Sequence, residues 1–169
     1  METEVKEKNF DYRTLDVSGL GGWLILVQIS LFASILSLII QLFSYISPDF
    51  TSETWDALTS KESMFYHPLW RPTIIFEVVC NSLLLLFSLF TLIMLYRKKS
   101  ALPRLMIILL SVSLLCVFID MLLLYQIPLA REAGNGTADL RNLVKSIISC
   151  AIWIPYFLKS DRVKNTFIK

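Results

Sequence analysis

The sequence is poor in the residues that usually carry chemistry. It has a single histidine, His67, and three cysteines, Cys80, Cys116 and Cys150, with no C-x-x-C spacing. A zinc site needs several such ligands to converge, so no metal and no cofactor are expected. No H-E-x-x-H, G-x-S-x-G or phosphate-cradling glycine-rich loop occurs. The commonest hydrolase and nucleotide-binding chemistries lose their support, and the chain is not expected to be an enzyme. Charge is scarce as well. Only 18% of residues are charged, against ~25% in an ordinary soluble domain. The basic residues flank apolar runs, so nucleic acid is not an expected partner.

Apolar residues dominate instead, at 55% of the chain with a mean hydropathy of +0.61. They fall in runs at 20–46, 73–95, 105–127 and 143–158. A bilayer's hydrocarbon core takes ~20 mainly apolar residues in a helix. The first three runs meet that length and the last is short, giving an expectation of four spans. The stretch before the first run is long and mixed in charge, unlike a signal peptide, and no small-residue cleavage pattern follows. The first run is therefore read as a retained span.

Lys6, Lys8 and Arg13 precede the first run, Arg97, Lys98, Lys99 and Arg104 lie between the second and third, and Lys159, Arg162, Lys164 and Lys169 follow the last. Most of the 16 basic residues thus share one side, which the positive-inside rule makes cytoplasmic. The expected layout is a cytoplasmic tail (1–19), a transmembrane domain (20–158) and a basic cytoplasmic tail (159–169). Outer loops occupy 47–72 and 128–142, and a short inner turn 96–104. Ser52 is placed to cap a short surface helix over 53–58. Gly134, Asn135 and Gly136 carry turn chemistry. Trp23, Tyr45, Tyr96, Tyr125, Trp153 and Tyr156 stand where interfacial aromatic belts would lie.

Within lipid, polar residues mark the inward face of a helix. Ser30, Ser34, Ser37, Gln41 and Ser44 recur at alternating steps of four and three, as do Glu77, Asn81, Leu84, Ser88 and Thr91. Ser113, Cys116 and Asp120, then Asn142, Ser146, Ser149, Trp153 and Tyr156, continue the pattern. This is the seam of a left-handed, antiparallel helix bundle. The fold class expected is all-α, a four-helix transmembrane bundle with both termini cytoplasmic. Such stripes have two readings, helix packing or a polar cavity along the same axis.

Asp120 stands inside the apolar run LLCVFIDMLLLY. A carboxylate at the bilayer centre costs roughly 2.5–3.5 kcal/mol on insertion scales, so something must offset or use it. At 1.5 Å per residue, Asp120, Glu77 and Lys145 all lie roughly 6–10 Å to the outer side of their span centres. The expected cluster has Lys145 bridging Asp120 and Glu77, with Asn81 on the face of Glu77 and with Arg71 and His67 at the mouth. It either fixes bundle register or binds a small polar ligand or ion from outside.

GLGGWLIL (19–26), YHPLWRPTIIFEVVCN (66–81) and IWIPYFLKSDRVKNTF (152–167) resemble the DUF2569 family of small bacterial integral membrane proteins. The resemblance implies a multi-pass protein of a bacterial inner membrane and implies no activity. Pro68 and Pro72 punctuate the start of the second span, and Pro155 interrupts the hydrogen bonding of the fourth. Lys159, Arg162 and Lys164 are placed to meet anionic lipid at the cytoplasmic face. Alternatively, Arg162, Val163, Thr166 and Phe167 would dock a cytoplasmic partner. Two functions are carried forward. One is a non-catalytic subunit, scaffold or accessory factor, with a membrane-protein partner or as a homo-oligomer. The other is a small oligomeric transporter or ligand sensor using Glu77, Asp120 and Lys145.

Overall fold

The structure, a computed structural model, describes residues 21–46, 52–132, 135–160, 163, 166 and 167. The described residues are helical, with no strand. Long helices α1 (Trp23–Ile46), α3 (Trp70–Tyr96), α4 (Leu102–Tyr125) and α6 (Asn135–Lys159) alternate with short α2 (Ser52–Thr59) and α5 (Pro128–Glu132). Three of them, α1, α3 and α4, are long and apolar enough to cross a membrane. The α6 helix is comparable in length but carries Arg141, Asn142 and Lys145 in its first half.

Each boundary has a local cause. Gly22 takes a φ of 60° and its carbonyl accepts from the Ile25 N–H, turning the chain into α1, a backbone shape that glycine adopts without a Cβ clash. At the end of α3 the Lys98 N–H donates to the Leu95 carbonyl and the Lys99 N–H to the Met94 carbonyl. That pair of bonds is a Schellman motif with Lys98, at φ 52°, in the position glycine usually fills. Pro103 then sits in the first turn of α4, where its missing N–H breaks no helical bond.

One expectation shifts. The segment read as an outer loop over 128–142 folds into α5 and the start of α6, so Asn135 opens a helix instead of a turn. Helix-forming residues of TADLRNLVK outweigh the single Gly136 inside it. The helix also continues through Pro155, which has no N–H to offer the Ala151 carbonyl.

The long helices pack in chain order: α1 on α3, α3 on α4, and α4 on α6, the last being the most extensive pairing. Among the described residues α1 and α6 do not pack along their lengths. They meet through Trp23 and Tyr156, whose rings lie 6.5 Å apart. The apolar core joins Leu24, Val27 and Leu31 of α1 to Leu84 and Leu95 of α3, and to Leu102, Met106 and Leu109 of α4. Phe157 of α6 completes it together with Val163 and Phe167 of the following tail. The start of α1, the end of α3, the start of α4 and the end of α6 therefore share one end, hereafter the closed end.

The tail is the clearest departure. Val163, Thr166 and Phe167 are buried, at 1%, 8% and 5% exposure, so they are not a free face for a cytoplasmic partner. Val163 and Phe167 are one helical turn apart, and the Phe167 N–H donates to the Val163 carbonyl at 3.1 Å. Both would otherwise face water, so burying each contributes about 1.5–3 kcal/mol. Arg162 and Lys164 lie outside the described residues, as do the N-terminal basic residues; Lys159 is exposed in the last turn of α6.

Candidate functional site

Away from the closed end the four long helices line a cavity of about 390 Å³. Its wall on α1 is Ser30, Leu31, Ser34, Ser37, Leu38 and Gln41. The face of α1 that packs on its neighbours, Leu24, Val27, Leu31 and Ile35, lies beside this wall, and Leu31 belongs to both. Ser30, Ser34, Ser37 and Gln41 are exposed and border the cavity, whereas Leu24, Val27 and Ile35 are buried. From Ser30 to Gln41 the lining runs roughly 17 Å along the helix axis.

On α3 the same polar period behaves differently, because α3 sits between α1 and α4. Asn81, Leu84, Ser88 and Thr91 are buried, while Glu77 is half-buried. Glu77, Asn81 and Ser88 all reach the cavity. The Asn81 Nδ2 donates to Gln41 Oε1 at 3.5 Å, and Gln41 Nε2 donates in turn to Ser37 Oγ at 3.0 Å. A chain of amides and a hydroxyl thus ties α3 to α1 at the end of the wall away from the closed end. Nearer the closed end, the Tyr96 hydroxyl donates to Gln28 Oε1 at 3.4 Å, a second tie between the same helices.

Helix α4 contributes Ser113, Cys116 and Asp120, and α6 contributes Asn142, Ser149 and Trp153. Asp120 Oδ1 is buried. Two further groups lie near these carboxylates. The Tyr45 hydroxyl is in hydrogen-bonding reach of Glu77 and also feels the charge of Asp120. Cys80 feels Asp120 and is in hydrogen-bonding contact with Cys116. Tyr45, Glu77, Cys80, Cys116 and Asp120 are thereby one neighbourhood at the open end, drawn from α1, α3 and α4.

Glu77, Asn81 and Asp120, expected to act together, are brought to one cavity. Lys145 is not: its side chain is exposed and it does not line the cavity. The face that α6 turns to the cavity is marked by Asn142, Ser149 and Trp153, and Lys145 lies to one side of it. Arg71 is exposed and outside the lining. His67 is half-buried, and its Nδ1 accepts from the Leu69 N–H at 3.3 Å. It shapes the turn into α3.

Trp153 and Tyr156, which continue the polar period of α6, face inward. Trp153 lines the cavity and meets the Tyr156 ring edge-on at 5.8 Å. Tyr156 joins it to Phe157 of the core at 5.6 Å. The contact between Cys80 and Cys116 could not be read from sequence, since one chain says nothing about which residues of two helices face each other. Cys150 is buried and donates to the Leu110 carbonyl at 3.5 Å. Among the described residues no group of three or more His, Cys, Asp and Glu is placed to hold a metal ion.

No curated protein and no solved structure matches the chain. A family model does, over residues 17–168, under the description "Protein of unknown function (DUF2569)". That span takes in the closed end, every helix and the whole cavity lining. With helices fit to cross a bilayer and nearly its whole length matched, this membrane protein belongs to the DUF2569 family.

Proposed function

We propose that this protein is a small, non-catalytic, ligand-binding membrane protein, a sensor or binding subunit whose site is the polar cavity between its long helices. In this reading α6 is a fourth span, making a four-helix antiparallel transmembrane bundle in a bacterial inner membrane. Its 25 residues reach roughly 37 Å, and Lys145 near its outer half can extend its ammonium toward the headgroups. The distribution of basic residues supports cytoplasmic termini, with Lys159 positioned for anionic lipid.

One observation carries the proposal: the serines of α1 are exposed along open volume, while Leu24, Val27 and Ile35 beside them are buried. Polar hydroxyls turned into a space of about 390 Å³ lie at the lower end of the size of small-molecule sites. The cavity is blind, since Leu24, Leu95, Leu102, Phe157 and Phe167 are packed across the closed end. A blind cavity favours binding over conduction. Transport would need the closed end to open, and enclosing such a path would draw on an oligomer.

Native mass spectrometry of the protein, extracted gently from its own membrane, tests the proposal. A retained small molecule is expected, lost from a Ser34→Trp variant that fills the cavity. A second polypeptide in stoichiometric amount, with no small molecule, would overturn it in favour of a scaffold or accessory subunit.

A further inference from the structure

We infer that the cavity takes membrane-dissolved amphipathic molecules with an uncharged, hydroxyl- or carbonyl-bearing head, held by Ser34, Ser88, Ser113 and Ser149. The inference rests on the reading of the cavity as a binding site and adds the class of its guest and the way in. Each long helix brings one of these serines to the lining: Ser34 from α1, Ser88 from α3, Ser113 from α4 and Ser149 from α6. At 1.5 Å per residue each lies roughly 12–17 Å from the closed end of its helix, so the four form one layer.

Their hydroxyls are uncommitted. Ser30 donates to the Val27 carbonyl at 2.9 Å, Ser82 to the Val78 carbonyl at 2.8 Å, and Ser37 accepts from Gln41 at 3.0 Å. Among the described residues, Ser34, Ser88, Ser113 and Ser149 make no such side-chain bond. Ser88 weighs most, because it is 2% exposed and yet borders the cavity. A hydroxyl withdrawn from water without a partner is costly, so its bonding capacity is directed at what occupies the cavity.

The layer is also uncharged. No lysine, arginine or histidine lines the cavity, so an anionic head would lose its hydration and meet no counter-charge. Glu77 and Asp120 stand roughly 10–17 Å farther along their helices than Ser88 and Ser113. At the level of the serines a guest meets hydroxyls, which donate and accept alike and suit a neutral head.

Packing sets the way in. Helices α3 and α4 each pack on two long helices, but α1 and α6 each pack on one. Among the described residues the circuit is broken between α1 and α6, which meet through Trp23 and Tyr156 at the closed end. Beyond that contact both helices border the cavity, so in a membrane its side between them gives onto lipid. Leu31, Leu84, Leu109 and Met106 supply hydrocarbon wall beside the serines. A polar head in the serine layer and a chain leaving between α1 and α6 match both surfaces.

Photolabelling of the full-length protein in phospholipid nanodiscs tests this. Three diazirine probes share one chain length and differ in the head: an uncharged monoacylglycerol, an anionic fatty acid and a cationic alkyltrimethylammonium. A fourth, a diazirine glycerol ether, is water-soluble. Adducts are placed by peptide mass spectrometry, with and without an excess of the same molecule lacking the diazirine. The monoacylglycerol is expected to mark the lining residues of α1 and α6 with roughly tenfold the competable yield of either ionic probe. Ser88→Ala should cut that yield several-fold, while labelling of the exposed Leu36 and Phe43 should not compete. If an ionic probe marks the lining as strongly, the cavity stands as a binding site and the uncharged head is overturned. If the glycerol ether alone marks it, binding stands and entry from the membrane is overturned. If no probe marks it competably, both readings fall. These outcomes are read on the wild-type protein, so a variant that fails to fold leaves the test intact.

Discussion

At the closed end, Leu24, Leu95 and Leu102 are fully buried against one another and against the tail. At the open end, Glu77 and Asp120 border a cavity whose opposite wall is a row of serines. The same four helices build both ends, so the difference lies in where side chains fill the space between them. Inside a membrane apolar surface gains nothing by leaving lipid, and helices hold together by close packing and polar contacts. The closed end uses packing. The open end has polar contacts around unfilled volume, which is how a site differs from a core.

Breaking the closed end should cost most where the alternative to burial is water. Phe167→Ala is expected to destabilise by about 3 kcal/mol, since the tail lies beyond the last helix and its ring would otherwise be hydrated. Reversible unfolding in mixed micelles measures it; a change under about 0.5 kcal/mol would mean the tail is not part of the core. Leu95→Ala should cost about 2 kcal/mol, the lower part of the usual range, because lipid is as apolar as the interior it leaves.

Across the cavity wall the effects shrink. A double-mutant cycle on Gln41 and Asn81 should return a coupling of about 0.6 kcal/mol, the average for hydrogen bonds between membrane helices. The 3.5 Å distance leaves little reason to expect more. Lys98→Gly should stabilise by about 0.5 kcal/mol, relief of the left-handed backbone being partly cancelled by the freer unfolded chain. Thermal unfolding compared with Lys99→Gly, at a residue without positive φ, isolates that effect. Smallest of all, a cycle between Asp120 and Lys145 should show coupling under about 0.3 kcal/mol. A coupling above about 1 kcal/mol would restore Lys145 to the cluster.

Much of this was legible in the residues. Apolar runs located the helices because a span's length is fixed by the bilayer, and the carboxylates' heights followed from the rise of a helix. Azimuth was harder. The serine stripe of α1 has the period of a packing seam, and a cavity demands the same period. Only the leucine stripe beside it, packed against its neighbours, separates the two. Lys145 shares α6 with the lining residues Asn142 and Ser149 but is not among them, because depth arithmetic carries no rotation about the axis. The tail held an available signal that charge obscured: Val163 and Phe167, four apart among lysines and arginine, are an apolar pair on one helical face.

The most direct test is collision accessibility of nitroxide labels along α1 in lipid bilayers, with oxygen as the lipid-soluble probe and a neutral nickel chelate as the aqueous one. Labels at Ser34, Ser37 and Gln41 should favour the nickel complex, while Leu36 and Phe43, which are exposed outside the cavity lining, should favour oxygen. Val27 should be shielded from both. If Ser34 and Ser37 instead favour oxygen or are shielded from both probes, the stripe faces lipid or packed protein, and no water-filled cavity exists.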